Sequence, residues 1–136
     1  MKRCLKLLYF RIKSFTKKVT FRKGCNIGFH SEFEGCNAVG KNSSFSGRLG
    51  FGSYIGENST ILGRVGKFCS IASGVKVISG THPLSGFVST SPVFYSVLKQ
   101  SNVTYAKEQH FDEFLYADKE NGHAVIIGND ARLRRS

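Results

Sequence analysis

Histidine is the side chain best suited to proton transfer near neutral pH, and the chain of 136 residues contains four histidines. His82 lies in the segment Ser79-Gly80-Thr81-His82-Pro83, where glycine lets the backbone turn sharply and proline fixes the direction in which the chain leaves. His30, His110 and His123 lack such a setting, so we expect them to be exposed or structural. His82 is therefore the candidate for acid–base chemistry.

The spacing of the four cysteines does not suggest a metal site. They are Cys4, Cys25, Cys36 and Cys69, and they form no Cys-x-x-Cys pair. The histidines also lack the close pair that a zinc enzyme needs. We therefore predict reduced thiols and no metal. Residues 1–16 show neither a continuous apolar core nor a small-residue cleavage site, and no apolar run approaches the length of a membrane span. The protein is accordingly predicted to be cytoplasmic.

The element that ends just before His82 is a repeat with a period of sixteen residues. Its three apolar columns are Phe33, Leu49 and Val65, then Val39, Ile55 and Ile71, then Phe45, Ile61 and Val77. Within each unit the apolar residues lie six, six and four positions apart, which fits neither a helix nor an alternating strand. Small residues follow four positions later, as in Asn37, Ser53 and Cys69. The pattern predicts an all-β solenoid whose coils have three short sides and tight corners.

The repeat units resemble the hexapeptide repeats of left-handed β-helix acyltransferases. Two of these units are Val39-Gly40-Lys41-Asn42-Ser43-Ser44 and Ile55-Gly56-Glu57-Asn58-Ser59-Thr60. The stretches Gly66-Lys67-Phe68-Cys69-Ser70-Ile71-Ala72, Gly80-Thr81-His82-Pro83 and Val88-Ser89-Thr90-Ser91-Pro92-Val93-Phe94-Tyr95 are similar to the branch of xenobiotic and capsular-polysaccharide O-acetyltransferases. The resemblance extends over most of the chain.

This resemblance implies a fold and a chemistry. It implies a left-handed parallel β-helix, acetyl-CoA as the acyl donor and a homotrimer in the intact family. His82 corresponds to the family's catalytic histidine, so the implied role of His82 is to take the acceptor's hydroxyl proton. Transfer would then be direct, in a ternary complex without an acyl-enzyme. A sugar or polysaccharide hydroxyl is the expected acceptor, and a xenobiotic or antibiotic hydroxyl is the alternative.

Other residues near the expected site are weaker candidates. Tyr54 and Tyr95 are predicted to wall an acceptor pocket. The acids Glu108, Asp112 and Glu113 would either orient His82 or lie on a solvated face.

The sequence divides the chain into five segments. We predict a basic helix over 1–18, coils over 19–80, an excursion loop over 81–122, the start of another coil over 123–130 and a tail over 131–136 that does not follow the repeat. Members of the branch continue after Gly-Asn-Asp with a Val-Trp-Ile-Gly step, whereas this chain has no Trp. We therefore expect a truncated form with little activity and with most of its acetyl-CoA groove missing, so no residue is assigned to cofactor binding. The alternative is a naturally short member whose last coil has diverged.

Charge leaves a non-enzymatic alternative open. The chain has 20 Lys and Arg against 9 Asp and Glu, and many of the basic residues lie near the N-terminus. In the predicted helix, Leu5, Leu8, Ile12 and Phe15 recur at helical spacing. Such a helix either caps the open end of the solenoid or binds the inner surface of a membrane, and both roles are compatible. The alternative function is a basic module that binds a membrane or a polyanion. Motifs for reading nucleic acid are absent, so nucleic acid is not a predicted partner.

Overall fold

A computed structural model of the chain describes residues 2–135. Met1 and Ser136, which begin the predicted helix and end the predicted tail, lie outside the described residues, as do the side chains of Lys2 and Arg3. The chain forms two compact units. The first consists of the residues up to Val77 together with those from Ala117 onward, and the second is Ile78–Tyr116.

The first unit is a β-solenoid of about three turns with one short N-terminal helix, α1, at Lys2–Lys13. Its strands are β1 (Thr20–Phe21), β2 (Asn26–Ile27), β3 (Glu32–Phe33), β4 (Ala38–Val39), β5 (Ser44–Leu49), β6 (Tyr54–Ile55), β7 (Thr60–Val65), β8 (Ser70–Ile71), β9 (Val125–Ile127) and β10 (Arg132–Leu133). The named strands pair in parallel, in the orders β1-β4-β6-β8-β10 and β2-β5-β7-β9, and β3 also pairs with β5. The predicted solenoid architecture is confirmed.

The apolar columns line up from coil to coil, as the period predicts. Val39 pairs with Ile55 and Ile55 with Ile71 along one side of the coil, while Phe45 pairs with Ile61 along another. Eight of the nine predicted column residues are buried, and the ninth, Val77, is partly buried against the same core. Stacked coils therefore enclose a continuous apolar interior.

Small buried residues at the corners link successive coils through their side chains. Ser43 Oγ donates to the carbonyl of Gly56 at 2.7 Å and accepts the amide of Ser59 at 3.1 Å. Ser53 makes the same pair of contacts one corner away, with Gly66 and Cys69. These residues are small because the corner is tight, and they are polar because backbone groups at the corner need partners.

The corners also select residues that tolerate a left-handed backbone. Asn42 and Asn58 both have φ near +54°, and Gly24 and Gly74 occupy equivalent corners with φ of +80° and +76°. Asparagine and glycine are the residues that adopt this conformation most readily. The recurring Asn and Gly are thus explained by backbone geometry.

Helix α1 covers the first coil, but with a different face from the one its sequence suggested. Phe10 is buried, with its ring centroid 6.4 Å from that of Phe21 and 6.2 Å from that of Phe33. Leu7 packs against the core one turn earlier, and Ser14 is buried one turn later. The predicted apolar face, Leu5, Leu8, Ile12 and Phe15, is exposed. Helical periodicity reveals an apolar stripe but not which stripe meets the core.

The segment after β9 also differs from its prediction. The residues from Ala131 were expected to leave the repeat, yet Leu133 lies six positions after Ile127 and pairs with Ile71. Arg132 and Leu133 form β10 because their backbones pair in parallel with Ser70 and Ile71 of β8. The arginines around Leu133 made this segment look unlike the repeat, although it continues the stacking of the coils.

The second unit, Ile78–Tyr116, has little regular structure beyond a 3₁₀ turn at Pro92–Phe94. Its two ends are held side by side, since the amide of Thr81 donates to the carbonyl of Glu113 and the amide of Leu115 to that of Ser79, each at 2.8 Å. Rings of Phe87, Tyr95 and Phe111 pack edge to face inside it. Among residues 2–135, α1 included, we find no helix with the length and apolar character to span a bilayer.

Candidate functional site

His82 lies on the surface of the second unit, one residue after the paired segment that begins the excursion. Its Nδ1 atom is 3.5 Å from the carbonyl oxygen of Pro83. A proton carried on Nδ1 would point towards that oxygen and would leave Nε2 as the basic nitrogen. The exposed position and this orientation are compatible with a base that meets a substrate from solvent.

Tyr95 belongs to the interior of the same unit. It is only 2% exposed, its ring contacts Phe87 and Phe111, and its hydroxyl donates to the carbonyl of Thr90 at 3.2 Å. Burial, with a further effect from the negative charge of Glu113, raises the pKa of the Tyr95 phenol. The structure thus places Tyr95 in the packing of the excursion, and its predicted contact with an acceptor stays a prediction.

Glu113 organises the polar interior of the excursion. Its carboxylate accepts hydrogen bonds from Ser96 Oγ at 2.6 Å, Gln100 Nε2 at 2.6 Å and Gln109 Nε2 at 2.8 Å. These donors satisfy a buried carboxylate that would otherwise be costly. Of the three acids that the sequence offered as partners of His82, Glu113 is therefore engaged in holding the loop together.

Tyr54 lies in the solenoid unit, on the outward face of β6, with 48% of its surface exposed. Its neighbour Ile55 points into the core, as strand alternation requires. Its exposure makes Tyr54 available to a ligand. Its substrate-binding role likewise stays a prediction.

A second polar site, which sequence reasoning missed, lies wholly within the solenoid unit. It is a cleft of about 380 Å³ lined by His30, Glu32, Gly47, Arg48, Arg64, Asp118, Asn121 and His123. Coil stacking brings distant residues together here, because Glu32 pairs with Arg48 and Arg48 with Arg64 on adjacent strands. The signal in the sequence was the column Glu32, Arg48 and Arg64, which follows the period of the repeat.

A tight turn holds His123 and Asp118 at the rim of this cleft. Their backbones exchange two hydrogen bonds, of 2.9 and 3.0 Å, and His123 Nδ1 lies 3.7 Å from Asp118 Oδ2. The side-chain amide of Asn121 donates to Asp118 at 2.7 Å and, with the Asn121 backbone amide, lowers the pKa of that carboxyl. His123 Nδ1 is buried, and no hydrogen-bond partner for it is found among residues 2–135. An ionised carboxylate on the Nδ1 side of an imidazole leaves Nε2 as the nitrogen for a ligand.

The two arginines of the cleft differ in how they are paired. Arg48 donates to Glu34 Oε1 at 3.0 Å, and Glu34 also accepts the backbone amide of Phe51 at 3.0 Å. The Phe51 amide is the main reason why the pKa of Glu34 lies below its ordinary value, and Arg48 contributes. No ion pair to Arg64 is found among the described side chains. The cleft therefore offers a basic group beside a His–Asp pair.

Comparison of the chain with protein-family models, with curated proteins and with solved structures gives no match in any of the three. The fold and the two polar sites thus rest on the chain's own residues, and the family resemblance of its repeats remains a prediction.

Proposed function

We propose that this protein is an acetyl-CoA-dependent O-acetyltransferase that acts on a sugar or polysaccharide hydroxyl. The observation that carries the proposal is the position of His82, an exposed imidazole at the point where the regular coils give way to the excursion. The Pro83 carbonyl near Nδ1 supports Nε2 as the free base. The similarity of the repeats to hexapeptide acyltransferases supplies the reaction class.

In the proposed reaction, acetyl-CoA is a substrate that brings an activated acetyl group. His82 Nε2 accepts the proton of the acceptor hydroxyl as that oxygen attacks the thioester carbonyl. The acetyl group passes to the oxygen, and the His82 proton is available to the departing thiolate of CoA. No bond to the protein forms. Because His82 is exposed to water, we expect slow turnover by the chain alone.

The test is product formation from acetyl-CoA and a panel of neutral sugars, anionic sugars and hydroxyl-bearing drugs. Mass spectrometry of the acetylated acceptor is the suitable readout, since the exposed thiols of Cys4 and Cys36 would react with a thiol dye. His82→Ala should lower the rate by about 10² to 10⁴-fold, the usual contribution of a general base. His110→Ala is the matched control, because His110 is exposed in the same unit. Equal rates for wild type and His82→Ala would contradict the assignment.

The His–Asp pair of the cleft is the one observation that favours a second candidate for the base. If His123 performs the chemistry, His123→Ala and Asp118→Asn should both reduce turnover and His82→Ala should not. Loss of activity only in His82→Ala would leave the cleft without a role in proton transfer. The two candidates are thereby separated in one series of variants.

A further inference from the structure

The outer face of α1 carries large apolar side chains that the fold leaves uncovered. Leu5, Leu8, Ile12 and Phe15 are between 53% and 84% exposed, and Tyr9 beside them is 54% exposed. Leu5, Leu8 and Ile12 lie three and four positions apart, so they form one stripe along α1, and Phe15 lies in the 3₁₀ turn (Phe15–Lys17) that follows the helix. Contiguous exposed apolar surface of this kind is characteristic of sites that meet another molecule or a membrane.

The helix is held so that this stripe faces outward. Its opposite face is anchored by Phe10 in the aromatic interior. Near the C-terminal end of α1, Arg11 donates to the carbonyl of Phe21 at 3.4 Å, and in the 3₁₀ turn that follows the helix Lys17 donates to the carbonyl of Phe33 at 3.0 Å. The amide of Cys36 donates to the carbonyl of Lys17 at 2.7 Å. One face of α1 therefore caps the solenoid, and the opposite face presents the apolar stripe to solvent.

The segment that carries the stripe is strongly basic in sequence. The first 31 residues contain nine Lys and Arg and no Asp or Glu, and the first acidic residue is Glu32. Within this segment Lys6 lies 4.1 Å from the ring centroid of Phe29, which is itself exposed. A helix with apolar residues on one side and only cations around them suits the interface of an anionic bilayer. A second copy of the chain suits it less, because a symmetric contact would bring like charges together.

From this arrangement we infer that the outer face of α1 docks the protein on an anionic lipid surface. The apolar stripe enters the boundary between headgroups and acyl chains, and the basic side chains contact the phosphates. The inference is independent of the proposed acetyl transfer, and either one stands if the other fails.

The test is flotation of the full chain with vesicles of phosphatidylcholine alone or with about 30% phosphatidylglycerol. We expect at least tenfold tighter binding to the anionic vesicles, weakened by raising the salt from about 50 to 500 mM. The double variant L8S/I12S should bind about a hundredfold less tightly. Ile126→Ser is the matched control, because Ile126 is 53% exposed on β9, away from α1 in the coil stack, and it should bind like the wild type.

A fluorescence probe reports insertion directly, since the chain contains no Trp. Phe15→Trp should show a blue-shifted emission on anionic vesicles, and Ile126→Trp should not. Unchanged binding by L8S/I12S, or an unshifted Phe15→Trp spectrum with bound protein, would overturn the inference. So would sedimentation showing that the wild type self-associates through this face and the double variant does not, with no vesicle binding by either. Native circular dichroism of L8S/I12S excludes unfolding as the cause of a loss.

Discussion

Replacing Ser43 by alanine would remove one hydroxyl that joins two coils. Ser43 is fully buried, and its Oγ donates to Gly56 and accepts from the amide of Ser59. Losing the bond costs about 1 kcal/mol net, and leaving the buried Ser59 amide without an acceptor costs a further 1–3 kcal/mol or so. We therefore expect the free energy of unfolding to fall by about 2–4 kcal/mol, with a drop in Tm of about 7–14 °C.

Urea denaturation followed by far-ultraviolet circular dichroism measures this loss. The neighbouring Ser44 is the matched control, because it is only half-buried on the outward side of β5, and Ser44→Ala should change stability by less than about 0.5 kcal/mol. Ser43→Cys should recover part of the loss, since Cys25 stands at the same corner of the first coil with its Sγ 3.0 Å from the carbonyl of Gly40. Equal effects of Ser43→Ala and Ser44→Ala would refute the idea that corner hydroxyls link the coils.

Three further substitutions test the packing of the core, the carboxylate of Glu34 and the close approach of two coils at Gly47. Ile55→Ala should lower the free energy of unfolding by about 3 kcal/mol, measured in urea, because it opens a cavity in a fully packed column. Glu34→Gln should reduce the loss of stability on acidification, followed as Tm against pH: the folded-state pKa of Glu34 is lowered, so its contribution is present above the ordinary carboxyl pKa and is lost as pH falls through the lowered value. Gly47→Ala should prevent a stable fold, judged by circular dichroism of the purified variant, because φ is +131° and a Cβ there would collide with the Gly63 carbonyl.

Each of these three changes has a control in the same chain. Tyr54→Ala removes a large side chain from the outward face of β6 and should cost far less than Ile55→Ala. Glu57→Gln neutralises an exposed acid of the solenoid and should leave the pH dependence of Tm unchanged. Gly86→Ala has a positive φ but open space around the glycine, so it should cost only about 1 kcal/mol. A Gly86 variant as damaging as the Gly47 variant would show that backbone strain, not collision, decides the outcome.

The sequence alone predicted the coil, since burial of the columns through Val39, Ile55 and Ile71 follows from spacing. The same spacing could not show that corner serines exchange hydrogen bonds between coils, because composition gives size and polarity but no partner. For a related reason the sequence could not show which face of α1 meets the core. Phe10 is as apolar as Leu8, and only the shape of the first coil decides which of them is buried.

Candidate sites were harder to predict than the fold. His82 could be named as a candidate from the sequence because its neighbours set it apart, and its role stays a prediction, whereas His123 became a candidate only when coil stacking and a tight turn brought it to the cleft beside Arg64. Its partners are scattered along the chain, so no local motif contains them. A column analysis extended to charged residues would have found Arg48 and Arg64 together, but Asp118 comes after the second unit and lies outside the period.

The two buried cysteines can report how often the solenoid opens locally, because a buried thiol reacts only when its surroundings open. Cys25 lies in the first coil and Cys69 directly before β8, the fourth strand of its sheet; both have no exposed surface, whereas Cys4 and Cys36 are exposed. In a stack where each coil touches only its neighbours, the ends can fray separately. Timed alkylation, read by mass at each cysteine, would therefore compare how often the first coil and the coil at β8 open, using only cysteines that the chain already has.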